Sequence, residues 1–384
     1  MRWSRSQLCL IYCVSALCGV MLLAVPVAYA ATVVVVNTDS AGEGFNDATA
    51  VAPVGGNTAT TLGAQRLQAF QRAADIWGGL LSSTVTIRVG AAFNPLTCTA
   101  GSAVLGSAGT TGFHRDFTGA PVASTWYPRA LANALNGSDL SAADDITAQF
   151  NSAIGTTCAF PNTWYYGLDG NPPGSQIDFV SVVLHELGHG LGFVSGVTLA
   201  SGAKLGGFND TYMRNLEHHG AMPSDYPSMT DAQRVTASTS TGNLHWVGAK
   251  VQAASSSLTA GTVGTHVRMY APNPQQPGSS VSHWDTALSP NEIMEPSYTG
   301  VDQTPGLALP LMEDLGWTLS STTPPPQTLT VTKAGTGTGT VTSAPAGITC
   351  GADCSEAYAY DTVVVLTATP AAGAVFSGWS GHAD

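Results

Sequence analysis

LHELGHGLGFVSG, residues 184–196, places His185 and His189 four positions apart with Glu186 between them. In a helix, positions i and i+4 share a face, so both imidazoles project toward one point. The preceding residues supply that helix. In GNPPGSQIDFVSVVLHELGHGLGF (170–193), Ile177, Val180, Leu184, Leu187 and Leu191 recur every three or four positions and form an apolar face. The Pro-Pro-Gly turn ends just before it, and Ser175 with Asp178 has capping-box spacing. Gly190 and Gly192 suit a helix interior poorly, so the helix is expected to stop there, with Gly192 making the turn.

Neutral imidazole is a good zinc ligand, and catalytic zinc commonly takes three protein ligands and keeps one position open. Glu186 is then placed as general base toward a water. Two solvated or core histidines on a helix would give the same pattern without chemistry. The third ligand is open on these residues alone. Ser195 stands three positions after Gly192, but a hydroxyl is a poor zinc ligand. Glu217 is the plausible glutamate, and His218, His219, His245, His266 and His283 are all available.

Around this helix the chain reads as mixed α and β. TVVVVN (32–37), TVTIRVGAAF (84–93) and DITAQFNS (145–152) have strand character. TLGAQRLQAFQRAADIWGGLL (61–81) carries Leu67, Phe70, Ala74 and Trp77 at helical spacing, and PGLALPLMEDLGW (305–317) reads as a last helix. GTTGFHRDF and STWYPRALANAL are ambiguous. Residues 196–282 are polar and rich in glycine, without a clear period. The fold class expected is α+β: a twisted mixed sheet with an active-site helix, then an irregular C-terminal subdomain, plus a small all-β module.

Arg2 and Arg5, an apolar run to about Val27 and Ala28-Tyr29-Ala30 have the form of a signal peptide (1–30). The catalytic domain is expected over 31–320, the Pro-rich linker over 321–327 and the β module over 328–384. Cys98, Cys158, Cys350 and Cys354 lie beyond the signal, an even number in an exported chain. Pairing Cys98 with Cys158 and Cys350 with Cys354 keeps each bridge inside one domain. With 13 Lys+Arg and a net charge of −12, nucleic acid is excluded as an expected partner.

HELGHGLGF, a long insertion, SHWDTALSPNEIMEP and LMEDLGW follow in an order that resembles the leishmanolysin-type branch of the metzincin zinc metalloproteases. The resemblance spans roughly 177–317. It implies His283, in the S-H-W context, as third zinc ligand, and Met294 as the Met-turn residue beneath the metal. Two features depart from it. TVVVVN follows the expected cleavage site almost at once, which argues against a cysteine latency segment. Tyr298 comes four residues after Met294, where the family's metal-proximal tyrosine comes two after, so catalytic and structural or substrate-wall roles both stay open for it.

The segment from 328 resembles a β-rich repeat of bacterial secreted and surface proteins, with Cys350–Cys354 stapling one loop and Trp379 expected in its small core. The function expected is a secreted zinc endopeptidase acting on protein or peptide substrates, with cell-surface or matrix contact through the module. The alternatives are a surface adhesin with a structural zinc site, and a zinc protease using Glu217 as third ligand.

Overall fold

TVVVVN forms β1 (Val33–Asn37), and β1 pairs in parallel with β2 (Ile87–Asn94). The computed structural model describes residues 30–220, 224–320, 327–358 and 364–379; the expected signal up to Tyr29 and most of the Pro-rich linker lie outside the described residues. β3 (Gly106–Thr110) and β4 (Ile146–Asn151) complete a sheet of order β1-β2-β4-β3. The β2–β4 pair is parallel, whereas β3 runs antiparallel along β4 as an edge strand. β3 reads Gly-Ser-Ala-Gly-Thr, so no apolar alternation announces it.

Two helices cover one face of this sheet. α1 (Leu62–Leu80) starts at Thr61, whose side chain accepts from the Ala64 N–H. α2 (Phe179–Leu191) carries the histidine motif. Phe70 of α1 and Phe179 of α2 meet Phe150 of β4 edge-on, and Phe93 of β2 joins the same cluster. Trp77 of α1 is fully buried and its indole N–H donates to the Leu184 carbonyl at 2.9 Å, fastening α1 to α2.

The start of α2 differs from the capping box expected at Ser175. Asp178 is the N-cap, accepting from the Ser181 N–H at 2.8 Å and the Ser181 hydroxyl at 2.6 Å. Ile177 and Asp178 are held extended by a parallel ladder to Trp164 and Tyr165, so Ile177 lies outside the helix. The ambiguous STWYPRALANAL resolves into a strand, Thr125–Pro128, followed by a helix, Arg129–Asn136.

Residues 196–282 are more ordered than their composition suggests. β5 (Leu216–His218), β6 (Leu244–Trp246), β7 (Thr262–Val263) and β8 (His266–Arg268) form an antiparallel sheet of order β5-β6-β8-β7. The strands hold only two or three residues each, too few to show a period. The last helix, α3 (Ala308–Leu315), ends at Gly316 with φ of 115°.

The C-terminal segment is all-β: β9 (Gln327–Thr330), β10 (Gly339–Ala344), β11 (Thr349–Cys350), β12 (Ser355–Tyr358) and β13 (Val365–Pro370). They make a β9–β12 pair and a sheet of order β11-β10-β13 around Val331, Val341, Ile348, Cys350 and Tyr358. Trp379 does not join that core. It is 42% exposed and packs against Phe376, because residues 371–379 form no strand that would carry the ring back inward.

Both disulfides join the expected partners, Cys98 to Cys158 and Cys350 to Cys354, with Cα separations of 5.9 and 4.1 Å. Among the described residues no helix is long and apolar enough to cross a membrane. The architecture is thus mixed α/β with several small sheets, followed by an all-β region.

Candidate metal centre

Three glycines shape the motif helix. Interior glycine costs about 1 kcal/mol relative to alanine. Burial of Val180, Val183, Leu184, Leu187 and Leu191 offsets this at roughly 1.5–3 kcal/mol per side chain. The glycines are needed for close approach. A Cβ at Gly188 would sit 2.7 Å from Met294 Sδ, and one at Gly190 would sit 2.4 Å from Ile146 Cγ2. Gly192 has φ of 141° and makes the expected turn, where a Cβ would also meet Leu315 at 2.7 Å.

His185 and His189 project from α2 toward His283, which arrives from the loop after β8. Each ring is fixed from behind by a backbone carbonyl. The Nδ1–H of His185 donates to Ile293 at 2.6 Å, that of His189 to Phe193 at 2.9 Å and that of His283 to Ser279 at 2.8 Å. This tautomer leaves a lone pair on every Nε2. The three Nε2 atoms face one another at 3.1, 3.2 and 3.3 Å. With no proton between them, lone pairs at that distance repel. A cation at their centre would turn repulsion into coordination, and nitrogens bonded tetrahedrally to zinc stand about 3.3 Å apart. Burial lowers all three pKa values, that of His189 to about 3, so the rings are neutral as ligands must be. The residues present therefore fit a metal ion, and the donor set alone does not name which.

The Met294 segment closes the site from below. Met294 is fully buried against Gly188, and its carbonyl accepts from the Trp284 N–H at 2.9 Å, one residue beyond His283. The neighbouring Ile293 carbonyl is the one that orients His185. One turn thus positions two of the three rings.

Glu186 is buried beside the rings. Burial raises its pKa to about 8, against a lowering hydrogen bond from the β3 backbone at Ala108. The cluster opens into a cleft of about 1060 Å³. Its walls include β3, the 277–283 loop and the 291–302 segment. Among the described strands, β3 pairs with β4 alone, so its other edge is available at the cleft.

The other sequence candidates lie elsewhere. The Ser195 hydroxyl donates to Asp210 at 2.9 Å and is a loop-fixing group. Glu217 gathers with His219 and His266, away from the α2 histidines. Of the other available histidines, His218 is buried on β5, and His219 faces His266. His245 is fully buried on β6. The Tyr298 hydroxyl accepts from the Asp178 N–H at 3.1 Å, which ties the cleft wall to the α2 N-cap.

Two contributors gave no sequence signal. The carbonyls that lock the rings have no side-chain signature. Asp210 sits in an aperiodic polar stretch, yet it is buried and accepts from Ser195, Gly196 and Met213, bracing the chain as it leaves α2.

A family model described as SPBPB7E8-like matches residues 123–218, and one described as a divergent InlB B-repeat domain matches residues 329–384. The first covers His185, Glu186 and His189 but stops short of His283 and Met294. The second starts beside the module boundary expected at 328. Neither description names a protease. No curated protein and no solved structure matches the chain.

Proposed function

We propose that this chain is an exported, zinc-dependent endopeptidase of the metzincin type, cutting protein or peptide substrates. The observation that carries the reading is the convergence of three backbone-locked Nε2 lone pairs beside a buried carboxylate on the floor of an open cleft. His185, His189 and His283 would hold the ion. When bound, zinc supplies a Lewis acid that polarises a carbonyl and lowers the pKa of a water to about 7. Glu186 would be the base that accepts a proton on its carboxylate and the acid that later delivers it to the leaving amine. The free edge of β3 accepts an extended peptide as an added strand, leaving the scissile bond near Glu186. Structural zinc sites are normally closed by four protein ligands, and three donors beside a cleft favour catalysis over a structural ion. The two disulfides support an exported chain. The repeat module is read as a spacer toward a cell surface or matrix.

The test is casein cleavage by the purified protein. Cleavage should be blocked by a zinc chelator, restored by zinc and cut by about 10²–10⁴-fold in Glu186→Gln. A wild-type protein that loads zinc at the α2 histidines but cleaves nothing would sink the reading.

A further inference from the structure

We propose a second divalent-cation site, formed by Glu217, His219 and His266 on the outer face of the small antiparallel sheet. This does not rest on the proteolytic reading.

Strand alternation builds the site. In β5, β6 and β8, Leu216, Leu244, Trp246 and Val267 turn inward and are buried. Residues directly opposite share a face, and the register pairs Glu217 with His245 and His245 with Arg268. Two positions along, His219 and His266 point to that same outer side. An outward face in an ordinary sheet would be a mixture of Thr, Lys and Glu; here three imidazoles and a carboxylate are packed together.

The donor atoms converge. His219 Nε2 lies 3.1 Å from His266 Nδ1. The Glu217 carboxylate reaches both rings, with Oε1 3.8 Å from His219 Nε2 and Oε2 3.8 Å from His266 Nδ1. All three ligand atoms lie within 4.8 Å of one another. The His219 ring stacks on His245 at 3.8 Å between centroids, which fixes its plane. His245 is fully buried, its Nδ1–H donates to the Asn243 carbonyl at 2.9 Å, and its Nε2 has no partner. The side chains of Glu217, His219 and His266 remain 26–29% exposed, so an ion can enter from solvent. The negative charge of Glu217 offsets Arg268 on the same face. Two imidazoles and one carboxylate suit a borderline divalent transition ion such as zinc, and are poor donors for calcium or magnesium.

The placement suggests what the ion would do. It would link β5 to β8 across β6. Past β8, Met269 bridges to Trp284 and the Tyr270 N–H donates to the His283 carbonyl at 2.9 Å. The ion would brace the strand from which His283 hangs. With three protein donors and solvent as the fourth ligand, it would bind more weakly than in a closed four-ligand site. Among the described residues no further carboxylate stands in a cleft beside it, as Glu186 stands beside the first cluster, so its role is bracing.

Equilibrium dialysis of the full chain against low-micromolar free zinc, with metal counted by mass spectrometry, tests this. Wild type should hold two zinc per chain, His219→Ala/His266→Ala one and His283→Ala one. Zinc should raise the melting temperature of the double variant less than that of wild type, while their metal-free melting temperatures agree. Glu217→Gln, which keeps the shape of the site, should weaken the second equivalent at least tenfold. Two equivalents retained by the double variant would overturn the proposal. So would a single wild-type equivalent lost only with His283→Ala, a result that leaves the catalytic reading standing. A single equivalent lost only with the double variant would support this site and overturn the catalytic one.

Discussion

Among the described residues histidines gather at two places, and the two are built on opposite plans. In the first, His185, His189 and His283 are each locked by a backbone carbonyl, sealed from below by Met294 and set beside Glu186 in a cleft. In the second, Glu217, His219 and His266 stand on a sheet face, partly exposed, with the carboxylate inside the donor set. Where the carboxylate stands is the instructive difference. Beside the donors it would be free to carry a proton; among them it would offset the charge of a bound ion. The first plan fits chemistry and the second fits bracing.

The largest expected effect falls on Glu186. Glu186→Gln keeps the shape of the side chain and removes the base, so casein cleavage should fall by about 10²–10⁴-fold. Zinc should remain at the first cluster. Near-normal cleavage by the variant would erase the functional contrast between the clusters. His283→Ala should lose both the first ion and cleavage, whereas Glu217→Ala should lose the other ion and still cleave. The reverse pattern, measured as zinc content and casein hydrolysis together, would exchange the roles of the two sites.

A second effect appears in the metal-free protein as a function of pH. Burial lowers the pKa values of His185, His189 and His283, so the unfolded chain binds their protons more readily than the folded one. Stability from these rings is present above pH ~6.5 and is lost as pH falls toward about 3, the value for His189. Glu186 acts in the opposite sense, because burial raises its pKa to about 8. Its contribution is complete below pH ~4.5 and is lost as pH rises through 8. Above pH ~6.5 only the Glu186 contribution is still changing, so this cluster favours stability near that pH. Glu186→Gln should remove the loss on the alkaline side, worth at most on the order of 5 kcal/mol. Chemical denaturation of chelated wild type and variant between pH 4 and 9 measures it. Parallel curves would mean that Glu186 is better solvated than its burial implies.

How far this contrast was legible in the sequence follows from where each signal resides. The α2 pair needed only helical spacing, and His283 with Met294 came from motif order. The second cluster was hidden because its strands are two or three residues long, so Glu217 and His266 look like isolated polar residues. The cap of α2 was misplaced by three residues because the ladder between Trp164 and Ile177 is a non-local pairing that local spacing does not encode. β3 was missed for want of side-chain pattern, although its backbone reaches Glu186. Trp379 shows the converse. Its size suggested burial, but among the described residues no strand beyond β13 carries it inward.

The smallest effect probes how rigidly the first cluster is held. Gly188 touches Met294, and a methyl there would overlap Sδ at 2.7 Å. Met294 is flexible but buried, with the Trp284–Met294 backbone bond fixing its segment. Gly188→Ala should therefore gain helix propensity of about 1 kcal/mol and lose about 1–3 kcal/mol to overpacking. The net effect should be a modest destabilisation, and Gly188→Ala should cost less in a Met294→Ala background than in wild type if the sulfur is the obstacle. The shifted Ile293 carbonyl would turn His185, so zinc affinity at the first cluster should weaken by about 10–100-fold, the usual cost of disturbing a ligand's hydrogen-bond partner. The second cluster shares none of these contacts and should keep its affinity. Equal weakening at both clusters would show that the substitution loosens the whole domain rather than one turn.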